Sequence, residues 1–281
     1  MKQNILVLGA TGKTGSRIAT LLKAQGHAVT AGSRSASPAF DWDQPEGWGA
    51  ILEGMDSVYI TYQPDLAVPG ALEAIEELVK QAKRAKVRKL VLLSGKGERE
   101  AELCEQVVIH SGLDYTIVRA SWFNQNFSES FFVDPILQGV VALPQAQARI
   151  PFVDANDIAE VAVKALTEEG HNGAIYQLTG AELLTFEDAV SEIARASGRE
   201  LKFIGIDMPT YIDGMRSQGV PEDFVWLIEY LFTEVLGNPD NSEITGDVEK
   251  VLCRKPVGFR EYAEKTAATG VWNVPATEAV R

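Results

Sequence analysis

A doubly wound α/β fold, with a parallel sheet covered by helices on both faces, is predicted by three features of this sequence. Short β-rich runs alternate with helix-length amphipathic stretches from Ile5 to Arg119. Two of the runs, Ile5-Leu6-Val7-Leu8 and Leu90-Val91-Leu92-Leu93, are continuously apolar, as strands buried on both faces should be. The first run leads directly into a glycine-rich turn and a helical pattern. Strands separated by helices of this length need right-handed crossovers, and such crossovers make the sheet parallel.

In chain order the pattern predicts a strand over Ile5 to Gly9 and a helix over Ser16 to Gln25, then strands over Ala28 to Gly32 and Ala39 to Asp43. A fourth strand, Ser57 to Thr61, precedes a helix over Ala71 to Arg84. A fifth, Lys89 to Ser94, precedes a helix over Glu100 to His110, and Tyr115 to Arg119 is a sixth. After Arg119 comes an aromatic-rich loop with Trp122, Phe123, Phe127, Phe131 and Phe132. Ile150-Pro151-Phe152-Val153 then enters a helix over Asn156 to Leu166, where Asp154 and Asp157 have the spacing of a helix start rather than of a catalytic carboxylate pair. Ala174 to Thr179 reads as a strand returning to the sheet. Phe186 to Ala196 and Glu222 to Leu236 read as helices, with a turn region at Met208-Pro209 and a loop at Gly237-Asn238-Pro239-Asp240. The expected division is a doubly wound domain over 1–150, with a helix and strand returning from 151–180, and a smaller, mainly helical covering portion over 181–281. Part of the stretch from Trp122 to Arg149 is expected to join that portion.

A chain of 281 residues with 46% apolar content can bury an α/β core and a smaller second portion. Its formal charge of −13 repels phosphate backbones, and the one basic stretch, Lys80 to Lys89, reads as a solvated helix end, so no nucleic-acid contact is expected. Cys104 and Cys253 form no CxxC pair and His27, His110 and His171 lie far apart, so no metal site is expected. No segment approaches the roughly twenty apolar residues of a membrane span, and Ile5 to Leu8 is shorter than a signal-peptide core. A cytoplasmic protein without membrane contact is the expectation.

Gly9-Ala10-Thr11-Gly12-Lys13-Thr14-Gly15 follows a strand and opens a helix, the context that gives a GxxGxxG its meaning. Gly9 permits the tight turn, Gly12 lets a pyrophosphate approach the backbone, and Gly15 lets helix and strand pack closely, while N–H groups at the helix start face the anion. This is a Rossmann dinucleotide-binding unit. Gly12-Lys13-Thr14 also resembles the end of a Walker loop, but that loop needs a glycine where Val7 stands, inside the strand. The second strand ends Gly32-Ser33-Arg34, where an NAD site would usually place Asp or Glu; a cation there suits the 2′-phosphate of NADP(H).

These motifs, with Ser111-Gly112-Leu113-Asp114-Tyr115-Thr116-Ile117-Val118-Arg119, Trp122-Phe123-Asn124-Gln125-Asn126, Ile150 to Ala159 and Thr245-Gly246-Asp247, resemble the NmrA-like family of atypical short-chain dehydrogenases through nearly the whole chain. In its glycine loop and Gly32-Ser33-Arg34-Ser35 the sequence is most similar to the ergot alkaloid reductases of the festuclavine synthase and agroclavine dehydrogenase type, and more distantly to quinone and azo-dye reductases. The resemblance implies NADP(H) binding, with Gly9, Thr11, Gly12, Lys13, Thr14 and Gly15 on the pyrophosphate and Ser33 with Arg34 on the adenosine phosphate. Thr61, Tyr62 and Gln63, and Ser94, Gly95 and Lys96, follow later strands and would border the nicotinamide half.

Dehydrogenases of this superfamily ordinarily protonate the reduced oxygen with a Tyr-x-x-x-Lys pair. The family pattern places a Glu four residues after the lysine, and matching it to Glu105 puts the pair at Gly97 and Ala101, so the usual proton donor is missing. Two readings follow. In the favoured one the chain is an oxidoreductase transferring hydride to a small planar electrophile, a quinone, azo or iminium compound, without that dyad; an iminium becomes a neutral amine by accepting hydride alone. In the alternative it is a non-enzymatic NADP(H)-binding redox sensor acting through protein partners, or more simply an interaction module with a structural cofactor. No catalytic residue is assigned; Trp122, Phe123 and Phe127, with Tyr62, suit a planar ligand by stacking, and Asn124 is the polar anchor on the substrate side.

Overall fold

In the computed structural model of the chain, residues 2–274 are described. The elements in order are β1 (Asn4–Leu8), α1 (Lys13–Ala24), β2 (Ala28–Gly32), α2 (Trp48–Leu52), β3 (Ser57–Ile60), α3 (Ala71–Arg84), β4 (Lys89–Gly95), α4 (Arg99–Ile109), β5 (Asp114–Ala120), α5 (Val133–Gln138) and β6 (Val140–Leu143). They continue with α6 (Ala155–Thr167), β7 (Ala174–Leu178), α7 (Phe186–Ser197), β8 (Lys202–Gly205), α8 (Met208–Ser217), α9 (Glu222–Tyr230), α10 (Asp247–Leu252) and α11 (Phe259–Ala267). No helix among the described residues is long and apolar enough to cross a membrane.

The chain divides into two compact units. The first comprises residues up to Ala120, Ala155–Leu178 and Gly246–Arg254. Its sheet has six parallel strands in the order β2-β1-β3-β4-β5-β7, with Ile5 opposite Val29 and Ser57, and Leu92 opposite Ile60 and Ile117. Ile5 to Leu8 and Leu90 to Leu92 are wholly buried, as expected of central strands. The order reverses at β1: the chain leaves it for β2 on one side and resumes at β3 on the other. In doubly wound sheets that divergence opens a crevice beyond the strand ends, and the loops after β1 and β3 border it. Helix α3 shows why an isolated pattern suffices for some elements: Ala71, Ile75, Leu78, Val79 and Ala82 bury one stripe, and Lys83 and Arg84 favour its C-terminal dipole end.

The second unit comprises Ser121–Asp154, Thr179–Thr245 and the described residues from Lys255 to Val274. An aromatic core of Phe127, Phe132, Phe152, Phe186, Phe232, Phe259 and Trp272 holds it, and Trp272 Nε1 donates to the Phe127 carbonyl at 2.8 Å. Beside that core, β6 and β8 form a two-stranded parallel sheet. Helix α7 starts on a capping box, Thr185 with Asp188.

Three expectations need correction. Ala39 to Asp43 is not a strand: Phe40 and Trp42 fold inward against Trp48 and Tyr62, and Trp48 Nε1 binds the Asp41 carbonyl at 2.7 Å. Met208-Pro209 begins helix α8, because Asp207 caps it and proline is favourable in the first turn of a helix. The helix expected over Glu222 to Leu236 is α-helical only to Tyr230 and continues as a π-helical turn over Leu231–Leu236. The second unit begins at Ser121, and Gly246–Arg254 belongs to the first.

Candidate functional site

The glycine loop joins β1 to α1. Gly9 has φ +63°, its N–H donates to the Gly32 carbonyl at 3.0 Å, and its carbonyl accepts from Gly12 N–H at 2.8 Å. A methyl group at Gly15 would fall on the Gly9 carbonyl, and one at Gly9 would come within 2.5 Å of Thr61 Cγ2. One at Gly12 would meet only that same carbonyl, at 3.3 Å. Gly15 is therefore needed by the fold itself, whereas Gly12 has room that the protein does not fill. Helix α1 starts without a side-chain cap and without an acidic residue in its first turn. Such a terminus is open to an anion.

Thr14 and Ser94 are both buried, and their hydroxyls have protein partners: Tyr59 donates to Thr14 Oγ1 at 2.8 Å, and Ser94 donates to Glu105 at 2.6 Å. Burial pushes the Tyr59 phenol far above its ordinary value, so it stays a donor. Ser94 has thus committed its hydroxyl proton to Glu105, whereas Thr14, accepting from Tyr59, keeps its own for a further acceptor. At the end of β2, Arg34 is exposed and has no hydrogen-bond or ion-pair partner among the described residues, while Ser33 Oγ lies 3.3 Å from Ser35 Oγ. An exposed, unpaired guanidinium at that strand end can take a phosphate bidentately.

Beyond β3, Thr61 and Tyr62 are half-buried and Gln63 is exposed. Tyr62 packs on Trp42 with ring centroids 4.7 Å apart, and burial raises its phenol pKa, reinforced by Asp43. Beyond β4, Gly95 is half-exposed and Lys96 buried, with Lys96 N–H on the Ala120 carbonyl at 2.9 Å. Behind them Glu105, wholly buried, accepts from Arg119 Nε at 2.9 Å as well as from Ser94, and Arg119 also reaches Glu102 at 3.4 Å. The Glu105 hydrogen bonds push the Arg119 guanidinium above its ordinary pKa. Gly97 lies in the exposed turn before α4, and Ala101 is buried within α4. No group of three or more His, Cys, Asp or Glu among the described residues could hold a metal ion.

The substrate-side residues all belong to the second unit and differ sharply in exposure. Phe127 is wholly buried, packed against Phe132, Phe152 and Phe259, which makes it a core residue rather than a ligand contact. Trp122 and Phe123 are half-buried; Trp122 meets Phe232 edge-on at 5.1 Å, and the backbones of Phe123 and Val153 form a bridge. Asn124 is wholly buried, yet neither its Oδ1 nor its Nδ2 has a hydrogen-bond partner. Leaving such groups unpaired costs about 1–3 kcal/mol, so Asn124→Leu, nearly isosteric, should raise the denaturation free energy of the ligand-free protein by about that amount. Urea unfolding measures it, and a loss of stability would show that the amide is paired in solution.

A family model described as NAD(P)H-binding matches residues 9–100. The chain is 30% identical to an agroclavine dehydrogenase of Claviceps fusiformis over 78% of this chain and 82% of that protein. It is 29% identical to an NAD(P)H azoreductase of Xenophilus azovorans over 94% and 98% of the two chains. Among solved structures, the Citrobacter sp. triphenylmethane reductase complexed with NADP(H) superposes with a TM-score of 0.74 at 20% identity, covering 94% of this chain and 99% of that one.

Proposed function

We propose, from the fact that this chain belongs to the NmrA-like family of NAD(P)H-binding proteins, that it is an NADPH-dependent oxidoreductase reducing a small planar electrophile, a quinone, azo or iminium compound. The dinucleotide supplies a hydride when bound. The protein's part is to hold it: Gly9, Thr11, Gly12, Lys13, Thr14 and Gly15 at the pyrophosphate, and Ser33 with Arg34 at the adenosine phosphate. Thr61, Tyr62 and Gln63, and the backbone from Ser94 to Lys96, border the reactive end. Trp122 and Phe123, each half-buried, are the rings assigned to the acceptor, with Asn124 as its polar anchor. The similarity to an agroclavine dehydrogenase and an NAD(P)H azoreductase supports this substrate class. Protonation does not come from Gly97 or Ala101, which have no group to give.

The observation that carries the cofactor choice is Arg34, exposed and unpaired among the described residues at the end of β2. Hydrogen bonds to charged groups are worth roughly 1.5–3 kcal/mol, so NADPH should bind about ten- to a hundredfold more tightly than NADH. Arg34→Ala should remove most of that preference. Titration of both dinucleotides at physiological salt tests it, and equal dissociation constants in the unmutated protein would refute it.

A further inference from the structure

The loops after β3 and β4 bring two carboxyl groups together. Asp65 follows Tyr62-Gln63-Pro64, and its Oδ1 accepts from Ala67 N–H at 2.8 Å. Glu98 follows Gly97, the position where the family resemblance would place the missing tyrosine, and stands as the residue capping α4. The two carboxyl groups lie close enough for each to act on the titration of the other. Neighbouring carboxylates repel one another, so a shared proton is favoured over two negative charges. Glu98 is the better holder, being only 8% exposed against a half-buried Asp65.

The seat of the Glu98 carboxyl is specific. It lies against the Cα of Gly95, where any Cβ would collide with it, so a glycine at the end of β4 is what admits the acid to this edge of the sheet. Its Oε2 is buried without a hydrogen-bond partner. Burial first, and then the negative charges of Asp65 on the β3 loop and of Glu100 and Glu105 on α4, push the Glu98 pKa well above the carboxylate range, and burial raises that of Asp65. The neighbouring Cys104 thiol is pushed up to about 12 by burial and by Glu105, Asp65 and Glu73, which excludes it as a competing proton donor at neutral pH.

We propose that the Asp65–Glu98 pair holds one proton at the carboxyl edge of the sheet and that Glu98 is the general acid this chain uses in place of a tyrosine–lysine dyad. The inference builds on the oxidoreductase reading. Reduction of a quinone to a hydroquinone takes up one hydride, the two electrons coming from the dihydronicotinamide, and one proton. Glu98 gives that proton to the quinone oxygen, leaving the pair as two carboxylates, and water restores it. A cationic triarylmethane dye, by contrast, becomes its neutral leuco form by taking up hydride alone.

The test compares those two acceptors in wild type and Glu98→Gln. General acids contribute about 10²–10⁴-fold, so the ratio of quinone to dye turnover should fall by about a hundredfold or more in the variant. In wild type, quinone turnover should decline as pH rises through the titration of the pair; Asp65→Asn, by removing a negative neighbour, should move that decline to lower pH. A readout independent of the cofactor comes from infrared spectra of the ligand-free protein at neutral pH, where wild type should show the carbonyl band of a protonated acid that Glu98→Gln lacks. Thermal unfolding gives the same sign: a carboxyl whose folded pKa is raised contributes stability below the ordinary carboxyl range and loses it as pH climbs, so wild type should lose melting temperature relative to Glu98→Gln as pH rises. An unchanged quinone-to-dye ratio, or no acid band in wild type, overturns the proposal. Wild type that reduces neither acceptor would instead refute the oxidoreductase reading, while the infrared result would still decide the state of the pair.

Discussion

Gly12→Val is expected to abolish dinucleotide binding in a protein that remains folded. A Cβ at Gly12 touches only the Gly9 carbonyl, at 3.3 Å, which a shift of a few tenths of an ångström relieves. Its branches would occupy the space in which a pyrophosphate meets the start of α1. Ligand-induced stabilisation reads the outcome directly: NADPH at a hundred times its dissociation constant adds about 2.7 kcal/mol to wild type, and the variant should gain nothing. Gly15→Val is the contrasting control, because its Cβ would fall on the Gly9 carbonyl in the folded chain itself. That variant should fail to fold, or lose stability before any ligand is added. A Gly12→Val protein still stabilised by NADPH would place the dinucleotide elsewhere.

The largest loss of stability from a single side chain outside the glycine loop is expected for Arg119→Met. Arg119 is the charged partner of the wholly buried Glu105, and removing it would leave a carboxylate facing only the Ser94 hydroxyl at 2.6 Å. Breaking a buried ion pair from one side costs about 3–5 kcal/mol, mostly the penalty of an uncompensated charge. The double variant Arg119→Met with Glu105→Gln should recover much of that loss, since no buried charge remains. Urea denaturation of wild type and the two variants tests the point; an Arg119→Met protein as stable as wild type would mean that Glu105 finds another cation.

The parts of this fold that were readable in the sequence are those whose causes are local. Ile5 to Leu8 is apolar at every position and wholly buried, and Gly9 and Gly15 sit where the turn and close packing require them. What escaped depends on distant partners. Ala39 to Asp43 looks like a strand by its apolar residues, but Pro38 and Pro45 flank it and its rings pack beneath Trp48 and Tyr62 instead of joining the sheet. The pairing of β6 with β8 joins four-residue strands separated by α6, β7 and α7, which no short-range pattern reports. Pro209 looked like a turn because its compatibility with a first helical turn shows only once Asp207 is seen to cap it. For the site, an aromatic run could not distinguish Phe127, buried in the core, from the half-exposed Trp122 and Phe123. Glu98 gave no signal as an isolated acid; its chemistry exists only because Asp65 is brought beside it and Gly95 beneath it.

The central claim is that this chain moves a hydride from NADPH to an organic acceptor, and isotope transfer tests it most directly. NADPH carrying deuterium at the transferring carbon is incubated with the protein and a panel of quinones, azo dyes and cyclic iminium compounds, and the products are analysed by mass spectrometry alongside the rates. The account predicts that at least one acceptor is reduced with a primary kinetic isotope effect, and that iminium products keep the deuterium on carbon. Tight binding of NADPH, with no member of the panel reduced, would contradict it and leave a cofactor-binding protein without this chemistry.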